Sequence, residues 1–154
     1  MRESIHDEIA ERLEAATGPD PILDVLIKIA FRPHPQGPRY EDVHEIESHP
    51  DFIRFILKQT NSDGKHYYGD WGLNRIEPVT ASVDTMLLLV KEALPEWEWT
   101  LASHLAGAVA FMWLDRGGSS IASDAYAPTP ALALLKSFMG AWRQSKAETV
   151  SEVA

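Results

Sequence analysis

Residues 108–126, AVAFMWLDRGGSSIASDAY, decide the fold that the sequence predicts. The first seven residues are apolar at every position and rich in β-formers, which is typical of an inner strand buried on both faces. Residues 115–118, DRGG, predict a tight turn, because the paired glycines supply the positive φ that a hairpin needs. Residues 119–126 then return as a second strand, antiparallel to the first.

The segments on either side of this hairpin predict a third strand and two helices. Residues 96–101, EWEWTL, alternate polar residues with apolar ones, which is the period of a half-buried strand. Residues 82–94 have a wide apolar face and predict a helix that ends at Pro95. Residues 131–143 predict a last helix whose buried face carries Leu132, Leu135, Phe138, Met139 and Trp142.

The N-terminal half predicts helices and loops. Ser4 and Asp20 are the expected N-caps of helices over 4–16 and 20–31, with Pro21 as the first residue of the second helix. Residues 32–39, RPHPQGPR, predict a loop. A third helix is expected over 50–59 and an irregular segment over 65–73.

Together these segments predict an α+β fold. Its centre is a small three-stranded antiparallel sheet packed between helices, an α-β-α sandwich, with additional N-terminal helices. We expect one domain over 1–144, made of a helical part (1–31), a loop-rich middle with one helix (32–76) and a helix–meander–helix part (77–144). Residues 145–154 predict a flexible tail.

Composition limits the classes of partner. The 154 residues include 14 basic and 23 acidic ones, for a net charge of −9, which disfavours binding to duplex nucleic acid or to an anionic membrane surface. The absence of cysteine excludes a thiol nucleophile, a disulfide framework and cysteine-ligated zinc, and fits a reducing compartment such as the cytoplasm. The charged N-terminus does not have the pattern of a secretory signal. The apolar runs, such as 86–90 and 108–114, are too short to span a bilayer.

Two stretches of the second half resemble a known family. Residues 78–94, PVTASVDTMLLLVKEAL, are similar to the opening of the phage ABA sandwich domain family, a proline and small-hydroxyl entry into a helix. Residues 124–138, DAYAPTPALALLKSF, are similar to the family's closing strand, turn and Ala-rich helix. The resemblance covers about half of the chain. It implies an α-β-α sandwich and a bacteriophage or prophage origin, hence host cytoplasm, and transfers no catalytic residue.

Two polar motifs are interpreted as structural. The stretch from Asp42 to Asp51, DVHEIESHPD, holds metal-ligand residue types. Its histidines His44 and His49 are five residues apart, whereas helical spacings of three and four place ligands on one face. It therefore predicts a solvated acidic turn and no metal site. Pro35 and Pro38 form a minimal PxxP motif before Arg39, interpreted as a stiff loop.

Two aromatic sets are candidate binding sites. The loops of the middle part carry basic residues beside aromatic ones, an arrangement that holds a nucleobase and its phosphates. The predicted ligand-binding residues are Arg32, Arg39, Tyr68, Trp71 and Arg75; the alternative is that their aromatics anchor the loop to the core. Trp97 and Trp99 form an interface if they lie on an outer sheet face, and core if they do not.

The sequence leaves three classes of function open. The first is a small phage or prophage accessory protein that binds without catalysis, capturing a nucleotide-like host signal, another small anionic ligand or a host protein. The second is a structural or virion-associated interaction module. The third, an enzyme, has no supporting motif, and neither catalytic residues nor a cofactor are predicted. The surplus of large apolar residues predicts a homo-oligomer, a dimer in the first instance.

Overall fold

The structure is a computed structural model that describes residues 4–31, 39–49, 53–60, 62–73, 78–104, 106–115, 117 and 120–153. Contacts between residues cluster into two compact units, where the sequence predicted a single domain. The N-terminal unit comprises Met1–Arg12 and Asp20–Pro78, and the C-terminal unit comprises Leu13–Pro19 and Val79–Ala154. Each unit contains one three-stranded antiparallel sheet. The α+β class with a small three-stranded sheet is therefore confirmed.

Local capping fixes the two N-terminal helices, α1 (Ile5–Ala15) and α2 (Pro21–Phe31). The N–H of Asp7 donates to Ser4 Oγ at 3.2 Å, and this hydroxyl donates to Asp7 Oδ2 at 2.8 Å. Asp20 Oδ1 accepts from the N–H groups of the second and third residues of α2 at 3.1 and 3.2 Å. Both predicted N-caps are confirmed, because each satisfies backbone donors that the first helical turn leaves free.

The middle of the chain forms the sheet of the N-terminal unit, which the sequence did not predict. Its strands are β1 (Val43–Ser48), β2 (Ile53–Thr60) and β3 (His66–Leu73), in the order β1-β2-β3. The predicted helix over 50–59 and the predicted irregular segment over 65–73 are wrong. A short apolar run suits either a helix or a strand, and here pairing with strands on both sides selects the strand. Gly64, with a φ of 78°, lies in the connection between β2 and β3.

A β-bulge shapes the core of this unit. Val25 of α2 packs against Val43 and Phe55, with Ile46 at the margin of the cluster. Val43 and Ile46 are three residues apart, so they belong to opposite faces of a regular strand. The register shifts between Val43 and Glu45, and the extra residue brings both side chains to the same face.

The C-terminal unit contains the predicted helix, meander and helix. They are α3 (Val83–Ala93), β4 (Glu98–His104), β5 (Gly107–Asp115), β6 (Ser120–Ala127) and α4 (Pro130–Val153). The predicted antiparallel pairing of the last two strands is confirmed, with Gly117 at a φ of 64° in their turn. Helix α4 continues to Val153. The segment predicted as a flexible tail is therefore helical as far as Val153.

Helix α4 packs on one face of the second sheet and also contacts α3. The even-numbered residues of β5 (Ala108, Ala110, Met112 and Leu114) are buried on that face. Ser137 Oγ donates to the Ser123 carbonyl oxygen at 2.6 Å, and Gln144 Nε2 donates to the Ala122 carbonyl oxygen at 2.7 Å. A Cβ atom on Gly140 would lie 2.3 Å from Ser123 Oγ. Small side chains thus allow α4 to approach β6 closely.

Candidate interaction surface

The odd-numbered residues of β5 lie on the side of the second sheet that α4 does not cover. Register pairing defines the neighbours of the central aromatics on this side. Phe111 lies between Thr100 of β4 and Asp124 of β6, and Trp113 lies between Glu98 and Ala122. We call this surface the outer face, comprising Glu98, Thr100, Ala102, Gly107, Val109, Phe111, Trp113, Asp115, Ser120, Ala122, Asp124 and Tyr126.

Two large aromatic side chains of the outer face are exposed, Phe111 at 40% and Tyr126 at 47%. The Phe111 ring contacts the partly buried Trp113 ring at a centroid distance of 5.4 Å and an angle of 32°. The Tyr126 hydroxyl oxygen lies 3.0 Å from the position a Cβ atom would take on Gly107, so Tyr126 extends over this glycine. The sheet therefore presents an aromatic surface to solvent, the feature that marks an interaction site.

The formal charges on the described side chains of the outer face have one sign. Glu98, Asp115 and Asp124 are exposed, and the described positions of this face include neither lysine nor arginine. Residues directly opposite each other in an antiparallel pair have Cβ atoms about 4.5–5.5 Å apart. Asp124 is therefore adjacent to Phe111, and Glu98 is adjacent to Trp113.

An aromatic ring beside a carboxylate accommodates a cation. The ring face attracts a guanidinium or ammonium group through its quadrupole, and the carboxylate accepts charge-assisted hydrogen bonds from the same group. The outer face repeats this arrangement at two neighbouring rows of the sheet. Its chemistry suits arginine or lysine side chains better than it suits an anion.

The described part of the chain places three of the five predicted anionic-ligand residues, Arg39, Tyr68 and Trp71. Arg32 and Arg75 lie outside the described residues. Arg39 is exposed and precedes a single 3₁₀ turn at Tyr40–Asp42. Tyr68 and Trp71 are both positions of β3, and positions three residues apart in a regular strand belong to opposite faces. This binding site stays a prediction.

Register partners show the same separation of Tyr68 from Trp71. Tyr68 pairs with Lys58, whose side chain is exposed. Trp71 pairs with Phe55, whose side chain is buried in the core of the N-terminal unit.

For Trp97 the burial favours the alternative that the sequence left open, a place in the core. This residue precedes β4 and is 7% exposed, so its ring belongs to the core. Trp99 is 40% exposed, but it pairs with Met112, a residue of the face that α4 covers. Neither tryptophan contributes to the outer face.

Sequence reasoning missed the outer-face aromatics Phe111, Trp113 and Tyr126. The stretch AVAFMWL is apolar at every position, and this was interpreted as burial on both faces. A signal was present in the two neighbouring strands, where Glu98 and Asp124 are charged. Charged side chains are almost never fully buried unless they are paired, so a charged position within a strand indicates a face that meets water.

The acidic stretch with histidines lies on β1 instead of forming a turn, and Asp51 lies outside the described residues. Glu47 Oε2 is 3.3 Å from His49 Nε2 and 3.7 Å from Nη1 of Arg54, its partner across the strands. All three side chains are about a third or more exposed, which limits the contribution of such pairs to stability. Within the described residues, no three of the His, Asp and Glu side chains are grouped as a metal ion requires.

No protein-family model, curated protein or solved structure matches the chain. The resemblance to the phage ABA sandwich domain family accordingly stays a prediction. Of the helices in the described ranges, none combines the length and the apolar character needed to cross a bilayer.

Proposed function

We propose that this protein acts by binding another protein, without catalysis, and that the outer face of the second sheet is its binding surface. The observation that carries the proposal is the exposure of Phe111 and Tyr126 on a regular three-stranded sheet. Aromatic side chains dominate binding energy at protein interfaces, because they remove a large apolar area from water with little loss of rotamer freedom. A sheet fixed by α4 also holds these rings in place before a partner arrives.

The partner that fits this surface is a segment with basic and apolar side chains. Three carboxylates without a described lysine or arginine on the same face favour a positive partner and disfavour a negative one. Arginine is the better match, because its planar guanidinium stacks on an aromatic ring and binds a carboxylate with two parallel hydrogen bonds. The net charge of −9 steers a basic partner towards the protein at low ionic strength.

The resemblance to the phage ABA sandwich domain family supports an accessory role in a bacteriophage or prophage. In that role the partner is a host protein encountered in the cytoplasm. Capture of a nucleotide-like host signal by the middle part of the chain is a separate hypothesis, and it predicts binding of an anion instead of a cation.

Three synthetic peptides of equal length test the surface: one of arginine and leucine, one of glutamate and leucine, and one of arginine and serine. Calorimetry measures their dissociation constants. We expect the arginine–leucine peptide to bind best and to lose affinity as salt screens the charges. Tight binding of the glutamate–leucine peptide alone contradicts the proposed charge complementarity.

Matched variants locate the binding site. Phe111→Ala removes an exposed ring, and a hot-spot residue costs about 2 kcal/mol or roughly thirtyfold in affinity. Its control is Leu88→Ala on α3, which removes a side chain that is 58% exposed. Asp124→Asn removes one carboxylate, with Asp84→Asn as its control. If all four variants bind the arginine–leucine peptide as the wild type does, the outer face is not the binding surface.

A further inference from the structure

Strand β4 has one edge that its sheet does not use. The strand order is β4-β5-β6, and every residue from Glu98 to His104 pairs with β5 in a continuous register. In an antiparallel ladder, alternate residues direct their N–H and C=O groups to opposite edges. The edge of β4 away from β5 therefore carries a row of backbone donors and acceptors that β5 leaves free, which is a template for another strand.

The outer edges of β1, β3 and β6 differ from that of β4. Strand β3 contains two glycines, Gly69 and Gly72, which weaken a strand. Strand β1 has a bulge, which interrupts a regular pairing edge. On β6, Ser137 and Gln144 of α4 donate to the carbonyl oxygens of Ser123 and Ala122. Because successive carbonyls point to opposite edges, one of these two lies on the outer edge of β6. Strand β4 has no proline, lysine or register shift, the usual devices that prevent pairing.

We propose that a second copy of this chain pairs with the free edge of β4, antiparallel and around a twofold axis at Leu101. A twofold axis perpendicular to the sheet keeps each side chain on its own face. Odd-numbered residues of one copy therefore pair with odd-numbered residues of the other, and even-numbered residues with even-numbered ones. Centring the axis on Leu101 pairs all seven residues of the strand, whereas any displaced register pairs fewer of them. The result is a six-stranded antiparallel sheet.

The sequence of β4 is self-complementary in this register. Leu101 lies opposite its own copy, and Thr100 lies opposite Ala102. Trp99 lies opposite Ser103, which leaves room for its exposed ring. Glu98 lies opposite the position of His104, so no two like charges face each other across the new ladder.

Introduced cysteines test the register directly, because the chain has none of its own. Leu101→Cys places two thiols opposite each other with Cα atoms about 4.5–5.5 Å apart, within the range of a disulfide. Ala102→Cys is the control, since its two copies are displaced by two residues along the strand and lie about 7–8 Å apart or more. We expect Leu101→Cys to form a covalent dimer at least about tenfold faster under mild oxidation.

Sedimentation of the unmodified chain provides the second measurement. The expected mass is twice 17.2 kDa at micromolar concentration. Thr100 and Ala102 are exposed, and in the proposed register each lies opposite the other in the second copy. Replacing both with glutamate therefore creates two pairs of like charges across the interface, which should weaken the dimer about tenfold. The combination Thr100→Lys with Ala102→Glu sets opposite charges together and retains it. These samples contain no other protein, so the result is independent of what the outer face binds.

Either of two results overturns the proposal. One is a single species of 17.2 kDa at micromolar concentration. The other is an equal rate of disulfide formation by Leu101→Cys and Ala102→Cys, since the register requires the first pair to be close and the second to be apart.

Discussion

Replacement of Gly140 by alanine tests how α4 is seated on the second sheet. The added Cβ atom would lie 2.3 Å from Ser123 Oγ and 3.3 Å from Ser123 Cβ. The first distance is far below van der Waals contact, so either the helix or the serine must move. Overpacking of this kind costs about 1–3 kcal/mol. Alanine also favours a helix over glycine by about 1 kcal/mol, so we expect Gly140→Ala to destabilise the protein by about 1 kcal/mol.

The same substitution in a Ser123→Ala background should no longer destabilise the protein. Removing Oγ eliminates the 2.3 Å contact and leaves only the 3.3 Å approach to Cβ, which a shift of a few tenths of an ångström relieves. The helix propensity of alanine then dominates, and Gly140→Ala is expected to be neutral or to stabilise by up to about 1 kcal/mol.

Urea unfolding of the four proteins in this double-mutant cycle measures the difference. Circular dichroism and tryptophan fluorescence are recorded on the same samples, because two compact units need not unfold together. Equal destabilisation by Gly140→Ala in both backgrounds would refute the reasoning, since the cost would then arise somewhere other than Ser123.

Substitutions at four further sites have expected effects on the free energy of unfolding, each read from a urea midpoint. Ser137→Ala removes the donor to the Ser123 carbonyl oxygen and should cost about 1–3 kcal/mol, the penalty for a buried acceptor without its partner; an unchanged midpoint would show that water replaces the hydroxyl. Asp20→Ala removes the N-cap of α2 and should cost about 1 kcal/mol, whereas Asp20→Asn should keep most of the cap. Phe138→Ala empties a completely buried site and should cost about 3–5 kcal/mol. Trp142→Ala should cost less than Phe138→Ala, because Trp142 is only partly buried; the reverse order would contradict the assignment of the buried face of α4.

The helices could be predicted from the sequence because their start signals are local. Ser4, Asp20 and Ser82 each accept a hydrogen bond from a backbone N–H two or three residues further on, and such spacings are visible in a linear sequence. The hairpin of β5 and β6 could be predicted equally well, since its turn glycines lie between two β-rich runs.

The first sheet could not be predicted in this way. The apolar residues of 52–57 suit a helix and a strand alike, and only pairing with β1 and β3 decides between them. The bulge that brings Val43 and Ile46 to one face also breaks the alternation that identifies a strand.

The outer face could not be recognised from the sequence, because strand β5 is apolar on both faces. The two faces differ only in the size of their side chains. Ala108 and Ala110 are on the face that α4 covers, where the helix lies close to the sheet and small side chains fit beneath it. Phe111 and Trp113 are on the other. An apolar pattern alone does not indicate which face of a strand a helix covers. Side-chain volume does indicate it, because Gly140 and Ser137 allow α4 to approach the sheet closely, and a close helix fits against small residues.

Pairing through β4 and binding through the outer face have a joint consequence for affinity. The proposed twofold axis keeps both outer faces on the same side of the six-stranded sheet. Three strand spacings separate the two copies of β5, so the two Phe111 positions lie about 14 Å apart across the strands. A basic segment that reaches both rings engages two identical sites, and the second contact is intramolecular. Like charges at Trp99 and Ser103, which lie opposite each other in the proposed register and do not belong to the outer face, should therefore weaken binding of a long arginine–leucine peptide and leave binding of a short one unchanged.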